Sequence, residues 1–426
     1  MFVRNKKRVT LLVICVMLLL VIASVPALAQ NPTPQSLKEE LGRELYFDVK
    51  LSQPTGQSCA SCHDPDFGFD DPDSVLPVSE GVLPNLFGGR NSPSAAYAMF
   101  SPIFHFDEDE GLYIGGQFWD GRATGEVLGD PLADQALGPF LNPVEMANPD
   151  KRLVIRDVAN GSYSTLFETV WPDTDLSNWS QMSDAEIEMA YDQVALSIAA
   201  FERTELFAPF TSKYDAFLEA CLDLGEKPGN CATGSGPKAK RAAGMVGYTD
   251  LEWQGMQLFM GENDNDGELK KQEGAMCSAC HIAEWTEDPG NVFVPDWAPE
   301  GLTPPMFTDF TFDNLGVPKN LAYPLDPNAP VDLGLGDVVG DEAENGKFKV
   351  MTLRNIGQTE PYGHNGLFLT LKEITHFYNT RDVADWPEPE YAPTVNFDEL
   401  GNLGLSDAHE DALVAFMLTL DDGYQP

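Results

Sequence analysis

The pentapeptide Cys59-Ala60-Ser61-Cys62-His63 returns later in the chain as Cys277-Ser278-Ala279-Cys280-His281. No other feature constrains the fold as much. Two thiols three residues apart, with a histidine directly after the second, form the attachment signature of c-type haem. The thiols add across the two vinyl groups of the porphyrin, and the imidazole takes the iron from the proximal side. A shuffled sequence with 7 Cys and 6 His in 426 residues would hold about 0.001 such matches, and here there are two. The competing readings are a redox dithiol and a zinc half-site. Zinc wants four ligands in one cluster, and the two pentapeptides lie far apart in the chain. The sequence therefore predicts two covalently bound c-type haems. They are attached at Cys59, Cys62, Cys277 and Cys280, with His63 and His281 as the proximal iron ligands.

The first residues read as a segment apart from the fold. Arg4, Lys6, Lys7 and Arg8 are followed by an apolar run from Val9 to Val25, and Pro26-Ala27-Leu28-Ala29 ends it. A basic start, an apolar stretch and an A-x-A-type cleavage site predict a secretory signal peptide over 1–29. The expected location is the periplasm, with no membrane span once the signal is cleaved; an uncleaved anchor is the alternative. Export agrees with the haem reading, because bacteria attach c-type haem outside the cytoplasm. Cys15 leaves with the signal. Cys221 and Cys231 belong to neither pentapeptide, and in an oxidising compartment they predict a short-loop disulfide. The net charge of −41 repels nucleic acid and anionic lipid. It suits a basic electron-donor protein and equally a saline habitat.

The lead-ins to the two pentapeptides match. Ser36-x-x-Glu39 reads as a capping box opening a helix through Leu41, Leu45 and Tyr46, with Gly42 inside. Thr249-x-x-Glu252 opens another through Trp253, Met256 and Phe259, with Gly255 inside. Gly42-x-x-Leu45-Tyr46 is thus mirrored by Gly255-x-x-Leu258-Phe259, a long internal repeat. Ser183-x-x-Glu186 caps the clearest helix, with Ile187, Ala190, Val194, Ile198 and Phe201 at helical spacing. Thr370-x-x-Glu373 caps a helix carrying Leu371, Ile374, Phe377 and Tyr378, and a last helix runs from Ser406 to Leu420. Residues 64–150, and those from the second pentapeptide to about 350, read as loops. Residues 222–248 read as a linker. Asp264-Asn265-Asp266-Gly267 begins like a calcium loop but lacks the downstream Glu, since residue 275 is Ala, and reads as an acidic turn. No run of alternating strands is convincing. The expected fold is mainly α and loop-rich: two tandem c-type cytochrome domains over 30–235 and 236–426, each with one covalent haem.

A haem held by one histidine has an open sixth position, and what fills it decides the function. A strong ligand makes an electron carrier, and an open site lets peroxide or oxygen reach the iron. Beyond His63 and His281 only His105, His364, His376 and His409 remain. Gly88-Gly89-Arg90-Asn91-Ser92-Pro93 is followed by Phe118-Trp119-Asp120-Gly121-Arg122, Gln135-Ala136-Leu137-Gly138-Pro139 and Pro143-Val144-Glu145-Met146. Leu353-Arg354-Asn355 and Pro361-Tyr362-Gly363-His364-Asn365-Gly366 come after the second pentapeptide. In this order they resemble the bacterial di-haem cytochrome c peroxidase family, which includes MauG. The resemblance covers nearly the whole chain beyond the signal.

The resemblance implies roles. Glu145 becomes the acid/base beside the first haem, with Gln135 its hydrogen-bonding neighbour and Pro139 a wall of the distal pocket. Reduction of peroxide needs a proton moved from the inner to the outer oxygen, which a carboxyl near the iron can do. Read alone, Glu145 would be a surface carboxylate. Trp119 becomes the tryptophan between the haems, a relay for electrons or holes; read alone it is a core tryptophan. Asn91, Thr359 and Pro361 match residues that hold a calcium ion between the two domains. Amide and carbonyl oxygens suit calcium, and waters would complete its shell. Insertions before Phe118 and between Trp119 and Gln135 depart from the shorter family members.

Two departures carry functional information. Family peroxidases that need reductive activation place a distal histidine shortly before the Arg90 position, and residues 79–89 contain none. The first haem is therefore expected to be five-coordinate or water-bound, with His105 a remote alternative ligand. In the electron-accepting peroxidases the sixth ligand of the second haem is a methionine, and here that position is Tyr378, as in MauG. A phenolate favours ferric and higher iron states where methionine raises the potential; Met351 or Met306 would be the ligand if Tyr378 only packs. His364 is expected to support the second haem or the domain interface, and His376 and His409 to be exposed.

The resemblance therefore implies a periplasmic peroxidase. Hydrogen peroxide is reduced at the first haem, with electrons relayed through the second from a small cytochrome c or cupredoxin. The alternative is a MauG-like oxidase that uses peroxide to oxidise side chains of a partner protein, holding oxidising equivalents across both haems. A non-catalytic di-haem electron carrier is the third reading, which Gln135 and Glu145 disfavour. A homodimer is compatible with all three.

Overall fold

The computed structural model describes residues 34–73, 75–261 and 274–425. The signal peptide expected at 1–29, with Cys15, and the acidic turn at 264–267 lie outside the described residues. Among the described residues no helix is long and apolar enough to cross a membrane.

Helices carry the architecture. The principal ones are α1 (Pro34–Tyr46), α2 (Pro131–Ala136), α3 (Lys151–Ala159), α4 (Asp184–Glu202), α5 (Lys213–Asp223), α6 (Asp250–Met260), α7 (Leu371–Thr380) and α8 (Asp407–Met417). Helix α4 starts with the expected reciprocal bonds. The Glu186 N–H donates to Ser183 Oγ (3.3 Å), and the Ser183 N–H donates to the Glu186 carboxylate (2.7 Å). Thr249 and Glu252 do the same for α6 (3.2 and 2.6 Å). Each pair satisfies donors that a helix start leaves open. Helix α1 corrects the expectation: it already includes Pro34, so Ser36 lies inside it rather than at its cap. Proline is tolerated in a first turn because its missing N–H has no partner there.

Strands are few and short. β1 (His105–Asp107) pairs with β2 (Leu112–Ile114), β3 (Thr286–Glu287) with β4 (Leu302–Thr303), and β5 (Phe312–Asp313) with β6 (Phe348–Lys349), all antiparallel. They pin the long loops and build no layer of their own.

Two hydrophobic cores form. One runs from Leu41 to Phe210 and takes in Met306. The other runs from Tyr214 to Leu420. The change of core thus falls just after Phe210, earlier in the chain than the expected boundary at 235/236. The segment read as a linker is not one: short helices at Pro228–Ala232 and Ala239–Met245 bury Cys231, Ala239, Ala242 and Ala243 in the second core. Cys221 and Cys231 form the expected disulfide, with 5.8 Å between their Cα atoms.

The internal repeat is a repeat of helix crossings. A Cβ on Gly42 of α1 would run into the Ser197 carbonyl of α4 and lie 2.8 Å from Phe201 Cβ. A Cβ on Gly255 of α6 would run into the Ala412 carbonyl of α8 and lie 2.8 Å from Phe416 Cβ. Each crossing is a backbone-to-backbone contact that only glycine permits, set one helical turn from a phenylalanine.

Arg354 stands where the cores meet. Its guanidinium is buried and grips the Asp215 carboxylate (2.7 and 2.8 Å) and the Pro305 carbonyl (2.7 and 2.9 Å). The rings of Tyr97, Phe210, Tyr214 and Phe307 surround it. The C-terminal segment returns to the same place. Asp422 accepts from the Tyr97 hydroxyl (2.9 Å) and the Thr211 N–H (2.8 Å). Replacing Gly42 or Gly255 by alanine forces each helix pair apart, and overpacking of this kind costs about 1–3 kcal/mol. Denaturant unfolding of the holoprotein checks this; an unchanged midpoint for both variants would mean the crossings are not tight.

Candidate functional site

The first pentapeptide folds as a single 3-10 turn, Cys59–Ser61, closed by the His63 N–H on the Cys59 carbonyl (3.0 Å). Both thiols and the imidazole border one cavity, which Gln135, Glu145 and Trp119 also line. His63 Nδ1 lies 3.3 Å from the Phe69 carbonyl. The ring therefore donates from Nδ1 and keeps the Nε2 lone pair for a metal. Burial holds the imidazole below its ordinary range, so it is neutral, as a ligand must be.

The second pentapeptide repeats the device. Cys277–Ala279 form the turn, the His281 N–H bonds the Cys277 carbonyl (3.0 Å), and His281 Nδ1 meets the Phe307 carbonyl at 3.0 Å. Phe69 (φ 60°) and Phe307 (φ 55°) both sit in the left-handed region, uncommon for a bulky residue. Each presents the carbonyl that orients its imidazole. The four thiols are unpaired, and burial pushes Cys62 and Cys277 up to about 12. Among the described residues no cluster of three or more His, Cys, Asp or Glu is arranged for a metal ion, so neither pentapeptide has four zinc ligands around it. Paired free thiols, an oriented neutral imidazole and an adjoining cavity fit a covalent haem at each position.

Glu145 reaches the first cavity through a chain of turns. Asp130 caps α2, accepting from the Leu132 N–H (3.0 Å), and Gln135 lies in the last turn of that helix, which ends at Ala136. The chain then turns through bonds from the Gly138 N–H to the Gln135 carbonyl (3.0 Å) and from the Glu145 N–H to the Asn142 carbonyl (3.1 Å). The Asn142 amide donates to the Glu145 carboxylate (2.6 Å). Burial pushes that carboxyl above its ordinary range, and Arg122 and Asn142 draw it part of the way back.

Residues 79–88 brace this loop from behind. The Val82 N–H donates to the Glu145 carbonyl (2.9 Å), and Gly81 packs directly on Val144. Ser79, Glu80, Gly81, Gly88 and Gly89 line the cavity, and the segment holds no imidazole. His105 is exposed on β1, with Nδ1 2.8 Å from the Ile103 carbonyl, and is not part of the cavity wall.

Trp119, Asn91, Ser92 and Pro93 line both cavities. Trp119 is therefore in the wall between them, with its Nε1–H on the Asn91 carbonyl (2.9 Å). His364 lies 6.5 Å from the Trp119 ring and stacks on Phe348 at 3.6 Å. Burial drives His364 down to about 3, so it is neutral. Arg90 locks the seam with a two-pronged bond to Asp332 (2.8 Å each) and a third to Asp120 (2.5 Å). Asn91, Thr359 and Pro361 share the wall of the second cavity, and the Asn91 N–H donates to the His364 carbonyl (2.9 Å).

Tyr378 lines the second cavity together with Cys277, Cys280 and His281. Burial, then Cys280 and Asp313, push its phenol well above the ordinary range, so a phenolate there needs a cation beside it. Met306 is packed in the first core and does not reach this cavity. Met351 does line it, but its main chain bonds the His281 imidazole. Met276 and Met417 also lie in the wall. His376 is exposed and bonds Glu410 (2.9 Å), while His409 is half-buried, its Nδ1 accepting from the Ser406 N–H (3.3 Å).

Sequence reasoning missed Asn142, Arg122, Asp332 and the two phenylalanine carbonyls. Asn142 stands three residues before Glu145, and Arg122 lies inside a quoted motif. Asp332 and the carbonyls leave no trace in residue type or spacing.

Comparison with known proteins agrees with this geometry. The family model for di-haem cytochrome c peroxidase matches residues 36–221. The chain is 35% identical to methylamine utilization protein MauG of Paracoccus denitrificans (strain Pd 1222), over 91% of this chain and 89% of that protein. It is 27% identical to cytochrome-c peroxidase IdrP2 of Denitromonas iodatirespirans, over 93% and 85%. Among solved structures, the diheme peroxidase BthA from Burkholderia thailandensis E264 superposes with a TM-score of 0.66 at 27% identity, covering 92% of this chain and 89% of that one. These relatives mark the chain as an oxidoreductase of the di-haem c-type class, and its paired cavities fit two such haems. With such identity over so much of both sequences, the chain belongs to the di-haem cytochrome c peroxidase/MauG family, whose members carry two c-type haems.

Proposed function

We propose that the chain is a periplasmic enzyme that reduces hydrogen peroxide in the first cavity. Electrons arrive from a small redox protein by way of the second haem. The observation that carries this reading is Glu145, a carboxyl of raised proton affinity facing the same cavity as Cys59, Cys62 and His63. Cys59 and Cys62 tether the first haem and Cys277 and Cys280 the second, with His63 and His281 on the irons. The haem, when bound, supplies the electrons that break the O–O bond. Glu145, as carboxylate, takes the proton from the inner oxygen of peroxide and returns it to the outer one, which leaves as water. Gln135 orients the peroxide by hydrogen bonding. Trp119 conducts between the two cavities. Over a full cycle, peroxide, two electrons and two protons become two waters.

A second reading keeps the same first step and changes the reductant. Tyr378 as the sixth ligand of the second haem would favour oxidised iron, and the relative at 35% identity bears the name MauG. In that reading the electrons come from side chains of a partner protein.

We also propose that Asn91, Thr359 and Pro361 hold a calcium ion across the seam through oxygen atoms.

Three outcomes test these assignments. Glu145→Gln slows the reaction with peroxide by about 100-fold or more while haem content stays the same; an unaffected rate removes the acid/base role. The working form is the carboxylate and burial raises its pKa, so the wild-type rate rises with pH through a value above 4.5, and Glu145→Gln loses that limb. Tyr378→Met raises the potential of the second haem in a redox titration; an identical potential and spectrum would show that Tyr378 is not a ligand. Dialysis against a calcium chelator releases about one calcium per chain and changes the haem spectra reversibly; elemental analysis finding no calcium in the purified protein rejects the site.

A further inference from the structure

The hairpin of β1 and β2 borders neither cavity. Phe106 is the register partner of Tyr113 and Asp107 that of Leu112, so neighbouring side chains project to opposite faces. Ile103 (49%), Phe106 (41%) and Leu112 (38%) are all exposed. The acidic run Asp107-Glu108-Asp109-Glu110 ends β1 and forms the turn, and no lysine or arginine occurs from Asn91 to Gly121. The flanking Arg90 and Arg122 are committed to Asp120 and Asp332. The hairpin is thus a finger with apolar flanks and an acidic tip that its own segment does not neutralise.

One flank leads inward. Phe106 meets Tyr113 with 4.9 Å between ring centroids, Tyr113 stacks on Phe104 at 5.3 Å, and Phe104 meets Phe312 at 6.0 Å. Phe312 is the ladder partner of Lys349. The Lys349 N–H donates to the carbonyl of Trp119 (2.8 Å), the residue in the wall between the cavities. Packed rings and hydrogen bonds therefore connect the finger to the seam without a break.

We propose that this hairpin is the docking surface for a small, basic redox protein that supplies the reducing electrons. The proposal rests on the peroxidase reading above. Two donor molecules are each oxidised by one electron, and these electrons with two protons reduce one peroxide to two waters. Charge selects the occupant. A second copy of this chain would bring the same acidic tip and a net charge of −41, and would be repelled. A cationic partner is steered to the tip and then buries the exposed apolar flanks, the arrangement of a polar rim around an apolar contact. The chain of contacts reaches Lys349, which lines the second cavity as well as bonding Trp119, so electrons delivered at the hairpin can enter at the second haem, and the partner is a redox protein.

The test uses the full di-haem enzyme with a strongly basic mitochondrial-type cytochrome c as the probe. One variant carries Glu108→Lys, Asp109→Lys and Glu110→Lys; another carries Phe106→Ser. None of these residues lines a haem cavity. In the charge variant, kcat/KM for the reduced cytochrome falls about tenfold at low ionic strength and its salt dependence flattens. Phe106→Ser raises KM for the cytochrome. In both, the stopped-flow reaction with peroxide alone is unchanged. Binding of the oxidised cytochrome is followed separately by NMR shift perturbation. Wild-type kinetics and salt dependence in both variants overturn the proposal, as does failure of the cytochrome to bind the wild-type enzyme. A dimer that dissociates when the hairpin is altered also overturns it. Turnover indifferent to the hairpin leaves the peroxidase reading standing alone, whereas hairpin-dependent binding without turnover keeps the docking surface and removes that reading.

Discussion

A guanidinium fully removed from water must be paired and hydrogen-bonded, or it destabilises the fold by several kcal/mol. Arg354 meets that condition through groups contributed from across the chain. Asp215 comes from α5, the Pro305 carbonyl from the loop before Phe307, and the rings of Tyr97 and Phe210 from the first core. All of them must be in place together for the charge to be tolerated. The same Phe307 that packs on Arg354 offers its carbonyl to His281. The orientation of the His281 imidazole and the joint between the cores are therefore parts of one arrangement.

The seam follows the same logic on a smaller scale. Arg90 links Asp120 to Asp332 and lies over Phe348, which stacks on His364. His364 is kept neutral by burial, so it adds no charge beside the arginine. Trp119 is anchored at its ring by Asn91 and at its carbonyl by Lys349. Bonds of opposite type, one from each half of the chain, leave its ring little freedom. For the proposed relay between the cavities a fixed ring is what is wanted, because coupling across it depends on fixed distances.

Much of this was legible in residue type and spacing. The two pentapeptides, the caps at Ser183 and Thr249, the disulfide pair and the glycine repeat all follow from short-range patterns. Glu145, Gln135 and Trp119 emerged from motif resemblance, and they border one cavity. What stayed hidden was of two kinds. Partners distant in the chain could not be read: nothing near Gly42 names Ser197, and nothing near Arg90 names Asp332. Main-chain groups could not be read either, which is why the carbonyls of Phe69 and Phe307 were invisible. The misread linker has a compositional cause. Gly, Pro and Lys in 222–248 mask short helices, whose buried alanines and disulfide fill the second core without large apolar side chains.

The long-range helix pairing has a consequence for how the protein is made. The partner of α1 is complete by Glu202, so the first helix crossing can form before the later chain exists, although its core is filled only when Met306 arrives. The partner of α6 is α8, almost the last segment to emerge. Until it arrives, Gly255 faces no backbone and the second pentapeptide hangs from an open module. Asp422 then ties the new end back to Tyr97 and Thr211. The two crossings are therefore unequal in reach: one joins segments of a single half of the chain, whereas the other waits for a helix more than 140 residues further on.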